Sequence, residues 1–156
     1  MTIDIEEFSL TQTVAENVDA RHFEGIQPLY SRRIVLTGPI LKKNRLRHPE
    51  MDDKYHLLAN GCVEPDYVCR NRRDARIAVC YKGVGELRLR VVLWLKQQDD
   101  AVDVHNSVLS YRLCHQKELE LEIKRGKVVF QRSSGYHRGL KATPLPGRTP
   151  NSLQSF

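Results

Sequence analysis

The chain has little of what most site chemistries require. Its four cysteines stand at 62, 69, 80 and 114 and form no C-x-x-C pair. Zinc ligands usually arrive as close pairs on turns, so no metal centre is expected and the thiols read as free. Cys80, inside an apolar run, reads as a small core residue. There is no G-x-x-x-x-G-K cradle, no Rossmann glycine set and no H-E-x-x-H, which leaves nucleotide-dependent and metalloprotease activities unsupported. The lack of a G-x-S-x-G elbow argues against a serine hydrolase. No apolar stretch approaches the ~20 residues that span a bilayer. The opening "MTIDIEEFSL" carries acid where a signal peptide would be basic. The expectation is a cytoplasmic, soluble chain with no membrane contact and no cofactor.

What is present is cationic. Lys and Arg number 25 against 19 Asp and Glu, a net charge of +6. A pI near 9.3 favours anionic partners such as nucleic acid, although solubility alone accounts for charge of this size. With 156 residues and 40% apolar content, one folded domain is expected. Weak periodicity in residues 1–30 reads as a partly disordered N-terminal extension. Residues 31–132 read as the domain, and the Ser-, Gly- and Pro-rich 133–156 as a flexible basic tail.

Within the domain, "RIVLT" reads as a short edge strand or the lead-in to a helix. Thr37 is placed to cap a helix through "ILKKNRLR" that must stop near His48, because Pro49 disfavours helical geometry before it. A second helix is expected over "EMDDKYHLLAN", with Met51, Tyr55 and Leu58 on one face and Gly61 ending it. "PDYVCRNRRDA" reads as a loop or short strand. Period two then begins: Ile77, Val79 and Tyr81 oppose Arg76, Ala78, Cys80 and Lys82. "GVGE" supplies a hairpin turn longer than the tightest type. In "LRLRVVLWLK", Leu87, Leu89, Val91, Leu93 and Leu95 form an apolar face against Arg88, Arg90, Val92, Trp94 and Lys96. "VHNSVLSYRL" follows as a strand. In "HQKELELEIKRGKVVFQR", Leu119, Leu121 and Ile123 alternate as in a strand, but its strong helix formers favour a helix to Arg125, a turn at Gly126 and a final strand. Helices followed by a roughly four-stranded antiparallel sheet make the class α+β.

Three stretches offer chemistry. "KKNRLRHPE" gathers lysines and arginines against His48, an imidazole able to move a proton near neutrality; cations at a helix C-terminus also need no function to account for them. Arg88, Arg90, Trp94 and Lys96 share a strand face that would hold a phosphate and stack a base, unless Trp94 packs under a helix and the arginines face water. Alternation puts Asn106, Ser110 and Arg112 on one face and His105, Leu109 and Tyr111 on the other. Ser110 would donate to a phosphate oxygen and Asn106 would orient a substrate; plain strand residues are the simpler reading.

The order of "RHPE", "LL…EPDYV", "LRVVLWLK", "NSVLSYR" and "GKVVF" over about 33–131 resembles the phage-associated nuclease domains grouped with barnase, EndoU, colicin nucleases and RelE. The resemblance implies helices on a four-stranded antiparallel sheet and metal-independent cleavage of RNA, tRNA or mRNA, as a phage- or toxin-related activity with a cognate inhibitor protein. His48 matches the histidine of the helix-ending motif, Asn106, Ser107 and Ser110 the strand motif, and Arg90 a basic position of the central strand. Lys43 stands where the family often has a second histidine, and lysine is a poor general base near neutrality. The implied mechanism has His48 activate a ribose 2′-hydroxyl while Arg90, Lys43 and Ser110 stabilise the phosphorane, with Arg88, Trp94, Asn106 and Arg112 holding substrate. The alternative is an RNA-binding or scaffold module on the same fold.

Overall fold

The computed structural model describes residues 10–132. The expected tail and the first nine residues of the expected extension lie outside them. The class is α+β: the described residues form three α-helices and a seven-stranded sheet. In chain order the elements are β1 (Thr11–Ala15), β2 (Ile34–Thr37), α1 (Gly38–Arg47), α2 (His56–Val63), β3 (Tyr67–Arg70), β4 (Ile77–Val84), β5 (Leu87–Trp94), β6 (Asn106–Cys114), α3 (Gln116–Lys124) and β7 (Val128–Gln131). The sheet runs β1-β2-β6-β5-β4-β3-β7 and is antiparallel except where β2 meets β6. It is therefore larger than the expected four strands, and mixed.

Strand β5 sorts the molecule into two layers. Leu89, Val91 and Leu93 enter one core with Leu41, Leu58 and Cys80. Val92 and Trp94 join a second cluster with Tyr81 and Leu119 on the opposite face. We call these the inner and outer faces: α1 and α2 cover the inner one, α3 the outer one. Helix α2 touches β1, β4 and β5 together. Since β1 and β4 stand four strands apart, about 19 Å in a flat sheet, the sheet must curl around that helix.

Gly61 lies inside α2 rather than ending it, because a Cβ there would meet Leu89 Cδ2 at 2.8 Å. The expected helix over 50–60 is instead a 3-10 turn at Pro49–Met51 followed by the separate α2. Met51, Tyr55 and Leu58 still reach one core. Thr37 caps α1, its Oγ1 accepting from Ile40 N at 3.4 Å, and His48 ends it. The β4–β5 turn is tighter than expected: Val84 pairs directly with Leu87 across Gly85, whose φ of +61° suits glycine. Gly126, at φ +71°, closes α3 and starts β7 as the sequence implied.

Residues 10–30 are not an extension. β1 forms a sheet edge, and Val18 and Phe23 are fully buried. A 3-10 turn at Ala20–Phe23 lies against β7, close enough that a Cβ on Gly25 would stand 2.6 Å from Val129 Cβ. Hydrophobic periodicity missed this segment because it crosses the core edge once instead of presenting a repeated face. Phe23→Ala should lower unfolding free energy by about 3–5 kcal/mol, and Gly25→Ala by about 1–3 kcal/mol. Urea denaturation checks both, since a loose extension would leave the midpoint unmoved.

Candidate nucleic-acid interface

The sheet separates the residues that a cutting centre would need together. His48 sits at the end of α1, where it lines a cavity of about 10 Å³ with Leu41, Met51 and Tyr111. All three of those neighbours belong to the inner core. The volume is at most that of one water, too small for a phosphodiester. Its Nδ1 lies 3.7 Å from the Glu50 carboxylate. Lys43 is exposed on the same helix. Arg90 alternates with Leu89 and Val91 and emerges on the outer face, where its Nε donates to Tyr81 Oη at 3.3 Å. His48 and Lys43 thus belong to one side of the sheet and Arg90 to the other.

The outer-face arginines are tied to α3. Arg88 Nε donates to Gln116 Oε1 at 2.7 Å, and its Nη1 stands 3.5 Å from Asp66. Arg112 grips Glu118 with both terminal nitrogens, at 2.9 and 2.7 Å. Tyr81 Oη reaches Glu122 at 3.4 Å, and Lys127 stands 3.6 Å from the same carboxylate. The row expected to hold substrate therefore docks a helix, with Leu119 fully buried between the pairs. Packing beneath a helix gives each guanidinium a partner, because an unpaired buried charge would cost several kcal/mol.

Asn106 is structural too. It is buried, its Oδ1 accepts from Lys96 N at 2.9 Å, and its Nδ2 donates to Ser31 O at 2.7 Å and Arg33 O at 3.1 Å. Lys96 is buried as well, its Nζ against Val102 O. His105 Nδ1 hydrogen-bonds Ser31 Oγ at 2.8 Å, on the β6 side of this junction. The alternation expected to align Asn106 with Ser110 fails because β6 carries a bulge: Val92 pairs with Ser110 but Leu93 with Val108. The extra residue, Leu109, moves Ser110 and Arg112 to the outer face, while Asn106 and Val108 stay on the inner side. Ser107 pairs with Trp94. Trp94 is half-buried, its ring 4.1 Å from the Arg76 guanidinium carbon, and Arg76 is held by Asp100 at 2.7 Å.

Asn44, which sequence reasoning passed over, joins α1 to β6. It is buried, and its Oδ1 accepts from Tyr111 N at 2.9 Å. β2 pairs with β6 only through Ile34 and Val35, so further along that edge α1 supplies the acceptor. A single polar position in a basic helix gave no periodic signal. Asn44→Ala should cost about 1–3 kcal/mol, the penalty of orphaning a buried donor, measured as a lower unfolding free energy.

A second group of cations lies elsewhere. Arg70, Asn71, Arg72, Arg125 and Lys127 line an open cleft of about 600 Å³. It forms where the β3–β4 loop meets the turn after α3. Arg70 Nη2 donates to Gly126 O at 3.4 Å, which ties the two segments together. Asn71 Oδ1 accepts from Arg73 N and Asp74 N at 2.8 and 3.0 Å, fixing the loop. Arg72, Arg73 and Arg125 are exposed and form no ion pair among the described residues. Cations near the end of α3 complement its dipole; that does not account for three arginines from another element. "CRNRRDA" was the available sequence signal, and it read as a loop or short strand; Cys69 and Arg70 end β3 and the loop follows.

The four thiols are buried. Burial pushes those of Cys62 and Cys69 up to about 12, which keeps them protonated near neutrality. No helix among the described residues is long and apolar enough to cross a membrane.

The α3 clasp should titrate. The hydrogen bond from Arg112 is the main cause holding the Glu118 carboxyl below its ordinary value, against a smaller opposing effect of burial. Its folded pKa is depressed, so its stabilisation is present above the ordinary carboxylate pKa and lost as pH falls through the lower folded value. Wild type should exceed Glu118→Gln in stability at pH 7, and the gap should close on acidification below the carboxylate range. Denaturation midpoints across pH test this. Comparison of the chain with family models, with curated proteins and with solved structures returned no match.

Proposed function

We propose that this protein binds RNA through its phosphate backbone and that the cleft at the β3–β4 loop and the end of α3 is where it does so. One observation carries the reading: Arg70, Arg72, Arg125 and Lys127 line one open cleft, while Arg88 and Arg112 are engaged with α3 and Arg90 with Tyr81. A cluster of cations around an open cleft attracts a polyanion and gains from counterion release when phosphates replace bound anions. The cleft has room for a phosphate and its sugar, which the cavity at His48 lacks.

The endoribonuclease reading needs His48, Lys43 and Arg90 around one groove. The sheet stands between them, so binding without a cutting centre of that design is the function the geometry favours. The resemblance to the nuclease group then bears on the choice of RNA as ligand, since a fold hosts many functions.

Labelled single-stranded RNA, titrated in EDTA and followed by fluorescence anisotropy and by gel, tests the proposal. Binding should weaken steeply with salt and the RNA should stay intact. Arg72→Ala combined with Arg125→Ala should lower affinity at least ten-fold. The slope of log affinity against log salt should become shallower by about 0.7 for each phosphate contact removed. Affinity and slope equal to wild type in that double variant would remove the cleft from the function. RNA fragments made by wild type but not by His48→Ala would restore the cutting reading.

A further inference from the structure

Helix α3 crosses the outer face diagonally. Its first turn meets Arg88 and Arg112 on β5 and β6, at the end of the sheet nearer the β4–β5 turn. Its far end meets Arg70 on β3, at the opposite end. The diagonal leaves one quadrant beyond the helix: the last part of β5 and the first part of β6. Val92, Trp94, Ser107, Leu109 and Ser110 all stand there half-buried. The bulge at Leu109 turns Ser110 into this quadrant. Beside it lies Arg76, stacked on Trp94 and anchored by Asp100, with its Nε buried and without a hydrogen-bond partner.

One short loop joins this quadrant to the basic cleft: residues 71–75 connect Arg70 to Arg76, so the Cα atoms of Arg72 and Arg76 lie at most about 14 Å apart. A row of exposed cations therefore leads to an aromatic ring with a cation already on it, and then to two serine hydroxyls. Duplexes hide their base faces inside the stack. Single strands offer them, and base–aromatic stacking beside a cationic track is how such strands are held without sequence readout.

We infer that the ligand is single-stranded RNA whose phosphates follow the cleft and whose next base stacks on the Trp94–Arg76 pair. The inference rests on the RNA-binding reading above and adds a strand preference and a base subsite to it. The hydroxyls of Ser107 and Ser110 lie where the sugar or phosphate beyond that base would pass. Binding here is sequence-tolerant, because every base has a planar face to stack.

Trp94 is the only tryptophan in the chain, so its emission reports this subsite alone. Intact protein should be titrated with fluorescein-labelled oligouridylate and with a labelled RNA duplex at equal phosphate concentration, reading label anisotropy and Trp94 emission in parallel. Oligouridylate should quench Trp94 along the same curve as its anisotropy rise. The duplex should bind at least ten-fold more weakly and leave the emission unchanged. Trp94→Leu should weaken oligouridylate binding about ten-fold or more and spare duplex binding, while Trp94→Phe, which keeps a stacking ring, should stay within about three-fold of wild type. Saturating anisotropy with unmoved emission would overturn the stacking subsite and leave the RNA-binding reading standing. No anisotropy change with either RNA would overturn both. The wild-type emission decides the matter even where Trp94→Leu fails to fold.

Discussion

The structure depends on how β5 divides its side chains. Leu89, Val91 and Leu93 are fully buried toward α1 and α2, while Arg88 and Arg90 project toward α3. An apolar row and a cationic row on one strand cannot share an environment. The leucine side is closed by a curled sheet around a short helix. The arginine side is covered by a second helix, and each guanidinium there must find an acceptor. Gln116 and Glu118 on α3 accept from Arg88 and Arg112, while Arg90 donates to Tyr81 Oη. In "HQKELELEIK" one helix supplies both the buried Leu119 and, in Gln116 and Glu118, the acceptors around it.

This division explains why composition and site diverge. A basic chain invites the inference that its most regular arginines meet its anionic partner. Regularity here has another cause, since a strand row is regular because a helix lies on it. The open cleft lined by cations forms where regular structure ends, at the β3–β4 loop and the turn at Gly126. Loop arginines carry no period, so sequence reading gave them no more weight than any turn residue.

What the sequence disclosed follows the same line. The two-faced β4 and β5, the cap at Thr37, the stop at His48 and the turn at Gly126 are local events, and local chemistry was enough to find them. The strand at Thr11–Ala15 and the burial of Phe23 depend on partners distant in the chain. So does the parallel pairing of β2 with β6, which alternation within either strand cannot express. The site suffered most from topology. His48 and Arg90 are each legible as chemistry, but their separation by the sheet is a property of chain path that spacing does not encode.

The bulge at Leu109 shows how small such a determinant is. One extra residue reverses the phase of β6, so Asn106 faces the inner side and joins β2 to β6, while Ser110 and Arg112 face α3 and the quadrant beyond it. Strict alternation from Asn106 would put Tyr111 on the outer face. The inner core would then lose a buried ring that packs near Asn44 and Met51, and the backbone N–H that Asn44 satisfies would lose its acceptor. The bulge is thus required by the inner packing, and the Ser110 hydroxyl it delivers opposite Val92 is a consequence of that requirement. A surface formed in this way owes its layout to the core beneath it.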